Sequence, residues 1–238
     1  MKTIGLIGGM SWESTALYYK IINETVKERL GGLHSAKCVL YSVDFDEIQR
    51  LQHTNEWKKT ADILGEAGAR LAAAGADFLL ICTNTMHKVA DDIEVKSGLP
   101  LLHIADAAGT IIQQAKLHKI GLLGTRFTME ESFYVDRLQE GFGIEAIVPD
   151  QGERNEIHRI IFEELCLGVM KDDSRARFNE IIAGLTERGA EGIILGCTEI
   201  ALLVRPEDSV VPVFDTTALH ARRAVELAFS DRAENGVV

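Results

Sequence analysis

With 238 residues, 46% of them hydrophobic, the chain is long enough for one large domain or two small ones with full apolar cores. A formal net charge of −11 and a pI near 5.1 argue against the basic surface that nucleic acid or an anionic membrane would need. The apolar run from Ile4 to Ile7 is too short for a signal segment, and no stretch approaches the ~18 consecutive apolar residues of a membrane span. The expected location is therefore cytoplasmic.

Short β-rich runs alternate with helical patterns along the chain. Residues 4–7 read as a strand and 14–30 as an amphipathic helix ending at Gly31-Gly32. A second strand follows at 38–43, a helix at 60–74 stopped by Gly75, a third strand at 78–82, and a fourth at 101–104 after Pro100. The order then restarts, with a strand at 120–123, a helix at 131–139, a strand at 144–148, and helices at 155–167 and 175–186. Strands at 193–195 and 211–214, the latter around Pro212, complete it. Such βαβα alternation predicts parallel sheets with helices on both faces.

An internal repeat organises this pattern. The segment from Ala74 to Thr85 aligns without a gap on Arg188 to Glu199, at a constant offset of 114 residues (188 − 74 and 199 − 85). The opening strands also correspond, Ile4-Gly5-Leu6-Ile7-Gly8 with Ile120-Gly121-Leu122-Leu123-Gly124, and each final strand follows a proline. The expected fold is two similar parallel-sheet α/β domains, residues 1–105 and 106–238, with the C-terminal helix able to return onto the first. A pseudo-twofold axis would relate them, and the active site would lie in the cleft between. Ligands of open parallel sheets bind beyond the carboxyl ends of the strands. Thr83-Asn84-Thr85 and Cys197-Thr198-Glu199 both stand at such ends. A proton-transferring group on each wall of a cleft suits removal of a proton from one face of a carbon and its return to the other.

The remaining signals are weaker. Gly5-Leu6-Ile7-Gly8-Gly9-Met10-Ser11 is G-x-x-G-G and not the dinucleotide pattern G-x-G-x-x-G. This turn and Gly124-Thr125 read either as structural turns or as backbone donors for a small anion such as a carboxylate. The four cysteines, Cys38, Cys82, Cys166 and Cys197, show no C-x-x-C spacing and are expected to be free thiols. Adjacent strand side chains point to opposite faces, and the repeat aligns Cys197 with Thr83, so Cys82 reads as a structural thiol. Asn84, Thr85 and Thr198 could bind an α-carboxylate and α-amino group, or cap helices. His87 reads as solvated at a helix start, with catalysis the less favoured alternative. Asp44, Asp46 and Glu47 read as surface carboxylates, and the histidines show no metal-ligand spacing.

Five motifs in order, I-G-L-I-G-G-M-S-W-E-S-T (residues 4–15), V-D-F-D-E-I (43–48), C-T-N-T-M-H (82–87), L-G-T-R-F-T-M (123–129) and G-C-T-E-I (196–200), span nearly the whole chain. Together they resemble the aspartate/glutamate racemase family. Glu199 resembles the aspartate racemase branch, because the glutamate branch usually carries histidine there. The resemblance implies two similar α/β domains, catalysis without pyridoxal phosphate, metal or nucleotide, an amino-acid substrate and a homodimer. It places the catalytic pair on Thr83 and Cys197, with Thr83 standing where most members have a first cysteine. It places Met10, Gln52, Asn84, Thr85, Thr125, Thr198 and Glu199 around the substrate, and it sets Cys197 toward the α-proton of the L-enantiomer.

The mechanism expected from these residues begins with a Cys197 thiolate removing the α-proton, after which Thr83 returns a proton to the opposite face. Two alternatives belong beside it. One is a non-catalytic two-lobed amino-acid-binding protein, and the other a related isomerase or decarboxylase acting on a maleate, malonate or hydantoin. The sequence leaves the substrate side chain open among aspartate, glutamate and a neutral polar residue such as homoserine.

Overall fold

A computed structural model describes residues 1–230, so the last eight residues of the second expected domain, 231–238, lie outside the described residues. The chain divides into two compact units. One comprises Met1–His103 and the chain from His220 onward, and the other comprises Ile104–Leu219.

In the first unit, β1 (Ile4–Gly8) leads into α1 (Trp12–Leu30), followed by β2 (Cys38–Ser42), α2 (Phe45–His53), α3 (Trp57–Ala73) and β3 (Phe78–Ile81). A 3₁₀ turn at Thr85–Val89 then runs into α4 (Ala90–Ser97). The sheet is parallel in the order β2-β1-β3, with Ile7 opposite Tyr41 on one side and Ile81 on the other. Each residue of β1 is buried, as expected of a strand covered on both faces. The two-residue period sorts the strand side chains. Ile7, Leu79 and Ile81 pack with Ile48, Leu64, Leu71 and Ile93 of α2, α3 and α4. Leu6, Phe78, Leu80 and Cys82 pack on the opposite face with Tyr18, Ile22 and Val26 of α1, whose spacing of four presents one helical stripe.

The second unit begins with α5 (Ile104–Gln114), β4 (Lys119–Gly124), α6 (Arg126–Glu130), α7 (Ser132–Phe142), β5 (Glu145–Ile147) and α8 (Gln151–Glu163). It continues through α9 (Asp172–Glu187), β6 (Gly192–Gly196), α10 (Ile200–Leu203), β7 (Val213–Asp215) and the first turn of α11 (Thr216–Phe229). Its parallel sheet has the order β5-β4-β6-β7. Leu123, Ile193 and Leu195 face Ile157, Ile161, Phe178 and Ile181 of α8 and α9, whereas Ile120, Leu122 and Ile194 face Ile104, Tyr134 and Leu138 of α5 and α7. The later turns of α11 bring Ala221, Ala224, Val225 and Phe229 into the α1 side of the first unit's core.

The sequence repeat is reproduced in backbone contacts whose donors keep the 114-residue offset (191 − 77 and 193 − 79). The Asp77 and Glu191 amides donate to Thr3 O at 2.9 Å and Lys119 O at 2.8 Å, and those of Leu79 and Ile193 donate to Pro100 O at 2.9 Å and Pro212 O at 2.8 Å. The units differ at the final strand. The strand expected over 101–104 is a single bridge, Leu101 to Leu79, because the chain turns directly into α5 at Ile104. Only the second unit extends that position into a strand, β7.

Candidate active site

The predicted site residues of the first unit follow the carboxyl ends of its strands. Met10 lies in the turn after β1, and Gln52 on α2 after β2; both are buried. Thr83, Asn84 and Thr85 follow β3, which β1 flanks, and the Cys82 amide donates to Ile7 O at 2.9 Å. Met10, Met86 and Ile48 share one cluster, so the β1 turn, α2 and the Thr83 turn are packed together. Thr83 is half-buried, whereas Asn84 and Thr85 are buried.

The glycine turn after β1 is structural at its tightest point. Gly9 has φ +95°, and its N–H is taken by Thr15 Oγ1 at 2.8 Å, which in turn donates to Ser11 O at 2.8 Å. A side chain at Gly9 would run into the Val43 backbone, so glycine is required there by both conformation and space. The donor most suited to an anion is thus already used. Thr125, the corresponding residue of the second unit, caps α6 with its hydroxyl accepting from Thr128 N at 3.4 Å. Asn84, by contrast, makes no side-chain cap on the 3₁₀ turn that follows it.

In the second unit Cys197, Thr198 and Glu199 follow β6, and all three are buried. β4 pairs with β6 up to Gly124 opposite Gly196, so the Thr125 turn and the Cys197 turn start from adjacent strand ends. The Cys197 thiol donates to Glu199 Oε2 at 3.0 Å, and Thr198 Oγ1 lies 2.9 Å from Thr217 Oγ1. Burial pushes the Cys197 thiol well above its ordinary range, and the nearby Glu199 carboxylate adds to the rise. A thiolate was expected here. The structure instead holds a thiol hydrogen-bonded to a carboxylate, which can give its proton to a carbanion directly but must lose it before acting as a base.

Cys82 is fully buried, packed beside Phe78 and Leu80, and burial raises its thiol strongly. This is an inert core thiol by environment. None of the four cysteines is in a disulfide. Asp44 caps α2 at the surface, its carboxylate accepting from Asp46 N at 3.2 Å, and Asp46 and Glu47 are exposed. Among the described residues no group of three or more His, Cys, Asp or Glu could hold a metal ion, and no helix is long and apolar enough to cross a membrane. A surface cavity of about 720 Å³ between α2 and α3, lined by Glu47, Arg50, Leu51 and Lys59, contains none of the predicted site residues.

The sequence reading missed a buried histidine cluster beneath the Thr83 turn. His87 is 2% exposed, not solvated, and its Nδ1 lies 2.9 Å from Thr83 O and 3.2 Å from Asn84 O. Its ring meets His103 at 4.6 Å and His220 at 5.5 Å between centroids. His220 is held by Tyr18 Oη at Nδ1 and Leu102 O at Nε2, both at 2.8 Å. No sequence spacing joins these residues, because His220 and Tyr18 stand 202 positions apart.

Burial, together with the neighbouring His103 and His220, lowers the His87 pKa well below its ordinary value. Above about pH 6.5 this imidazole is neutral in both folded and unfolded chains. As pH falls below that value the unfolded chain takes up the proton first, so stability drops by up to about 1.4 kcal/mol per pH unit. Denaturant titrations from pH 7.5 to 5 should show this loss, and His87→Asn should flatten it. An equal slope in wild type and variant would assign the loss to other groups.

The family model for Asp/Glu/hydantoin racemase matches residues 7–224. A candidate Asp/Glu racemase from Yersinia pestis is similar to this chain at 57% identity and a TM-score of 0.92, over 97% of this chain and all of its own. An aspartate racemase homologue from Pyrococcus horikoshii is 38% identical with a TM-score of 0.83, over 96% of this chain and 99% of its own. The broad specificity amino-acid racemase RacX of Bacillus subtilis is 23% identical over 93% of this chain and 96% of its own length. The strands β3 and β6, which the predicted site residues follow, both lie inside the matched region, and the chain belongs to the Asp/Glu/hydantoin racemase family, as an enzyme of the isomerase class.

Proposed function

We propose that this enzyme is a cofactor-independent amino-acid racemase that inverts the α-carbon by proton transfer at Cys197 on one face and Thr83 on the other. The observation that carries this reading is the buried Cys197 thiol donating to Glu199 at 3.0 Å, at the repeat position of Thr83. From the D-enantiomer, a hydroxide ion from solvent, held by the Thr83 hydroxyl, takes the α-proton and becomes water, and the ready thiol of Cys197 protonates the opposite face and is left as a thiolate. From the L-enantiomer the same steps run backwards: Glu199 relays the thiol proton to solvent, the resulting thiolate removes the α-hydrogen, and the water held by Thr83 protonates the opposite face and is left as hydroxide. In both directions the electron pair left on carbon is delocalised into the α-carboxylate, which the amide and hydroxyl groups of Asn84, Thr85 and Thr198 stabilise. Met10, Gln52 and Thr125 line the same substrate.

The candidate substrates are aspartate, glutamate and neutral polar amino acids; likeness to a broad specificity racemase favours testing all of them together. Wild-type enzyme in heavy water should replace the α-hydrogen of at least one member of an amino-acid panel with deuterium and form its enantiomer, without added cofactor. Binding without exchange would favour an amino-acid-binding protein. Turnover of substituted malonates, maleate or hydantoins alone would favour the isomerase or decarboxylase alternative.

A further inference from the structure

We infer that His87 is a positioning residue, whose Nδ1–H fastens the peptide carbonyls of Thr83 and Asn84 and so fixes the turn that presents the Thr83 hydroxyl to substrate. The inference rests on the proposed racemase reading, since it assigns a purpose to the Thr83 turn.

The ring nitrogens are not equivalent. Both atoms that Nδ1 approaches are carbonyl oxygens, at 2.9 and 3.2 Å, so Nδ1 carries the proton and donates. Nε2 is then a bare lone pair, buried and, among the described residues, without a hydrogen-bond partner. A leucine would fill this space without burying an unsatisfied nitrogen, so the one polar service the imidazole renders here is the donation from Nδ1. The Asn84 carbonyl also accepts the regular 3₁₀ bond from the His87 amide at 3.1 Å, so the ring adds a second bond there and one to the Thr83 carbonyl just before it. One side chain from the next turn ties two consecutive carbonyls.

The ring is itself held from outside the turn. Edge contacts with His103 and His220 fix its plane. His220 donates from Nε2 to Leu102 O and accepts at Nδ1 from the Tyr18 hydroxyl, so its tautomer is also set. The chain of contacts thus runs from α1 through α11 to the Thr83 turn, within the first unit. A threonine hydroxyl is a weak proton shuttle and depends on placement more than a thiol would, which is why a rigid backbone matters at this position.

The test compares His87→Asn, His87→Gln and His87→Leu in the full-length enzyme. The Asn amide reaches the place of Nδ1, whereas the Gln amide reaches that of Nε2. We expect His87→Asn to keep kcat within about threefold of wild type. His87→Gln and His87→Leu should lose tenfold or more in kcat while KM moves less than threefold, at comparable Tm for Asn and Gln. In heavy water the two impaired variants should still wash deuterium into residual L-substrate at Cys197 while inversion slows. If Leu does not fold, the Asn–Gln pair decides the matter. Equal activity of all variants, or equal loss in Asn and Gln, would overturn the assignment while leaving the racemase reading intact. A wild-type enzyme that exchanges no α-hydrogen would overturn both.

Discussion

Cys197→Ala should lower racemisation by a factor of about 10³ or more, in line with the loss of a general acid–base group, while Cys82→Ala should stay within a few-fold of wild type. The two thiols share burial and a raised pKa but not chemistry. Cys82 lies among Phe78, Leu80 and the α1 side chains, where it fills space. Cys197 has a carboxylate at 3.0 Å to exchange its proton with. Steady-state assays in both directions, with Tm measured on each variant, check the pair. Cys82→Ala removes only one small buried group, so a modest drop in stability is expected without loss of turnover. A folded but inactive Cys82→Ala variant would mean that the reacting face of β3 has been misassigned.

Thr83→Ala should reduce racemisation about 100-fold, and Thr83→Cys should retain or raise it by restoring two thiols. Direction of reaction gives a sharper readout than rate alone. Enantiomers have equal free energy in water, so kcat/KM is the same both ways and the inequality of hydroxyl and thiol has to surface in isotope exchange. Starting from the L-enantiomer in heavy water, Cys197 should return deuterium to the same face before Thr83 completes inversion. Residual L-substrate should therefore gain deuterium faster than D-product forms. Starting from the D-enantiomer, the carbanion is quenched at once by Cys197, and residual substrate should stay protiated early on. Thr83→Cys should bring the two exchange rates together. Equal wash-in from both sides in the wild type would sink the idea that the Thr83 face is the weaker shuttle.

Alternating strands and helices, the 114-residue offset and the strand-end motifs were legible in the chain because they are local or periodic. Burial on both faces makes parallel strands such as Ile4–Gly8 continuous apolar runs, and the repeat copies those runs in register. Strand parity likewise separated Cys82 from Thr83 before any coordinates, since a period of two leaves no other choice. Helices with few apolar residues were harder. In α2 only Ile48 and Gln52 are buried, and in α4 only Ala90 and Ile93, too little pattern to read. The 101–104 segment is apolar and follows proline, like its counterpart, yet it forms one bridge because Ile104 already belongs to a helix.

What the tertiary structure alone decided is the electrostatic and hydrogen-bonding state of the site. By itself the sequence determined that a cysteine and a threonine occupy equivalent strand ends. It could not determine that Cys197 is a buried thiol bonded to Glu199, because that state depends on burial in a core that also gathers Leu123, Ile157, Ile161 and Ile181. Nor could it place His87. A histidine one turn beyond a strand end looks solvated until His103 and His220 close over it, with Tyr18 holding His220, and only the folded chain brings those residues together. Periodicity fixes which face a side chain takes. Its charge and partners follow from whatever distant segments exclude water from that face.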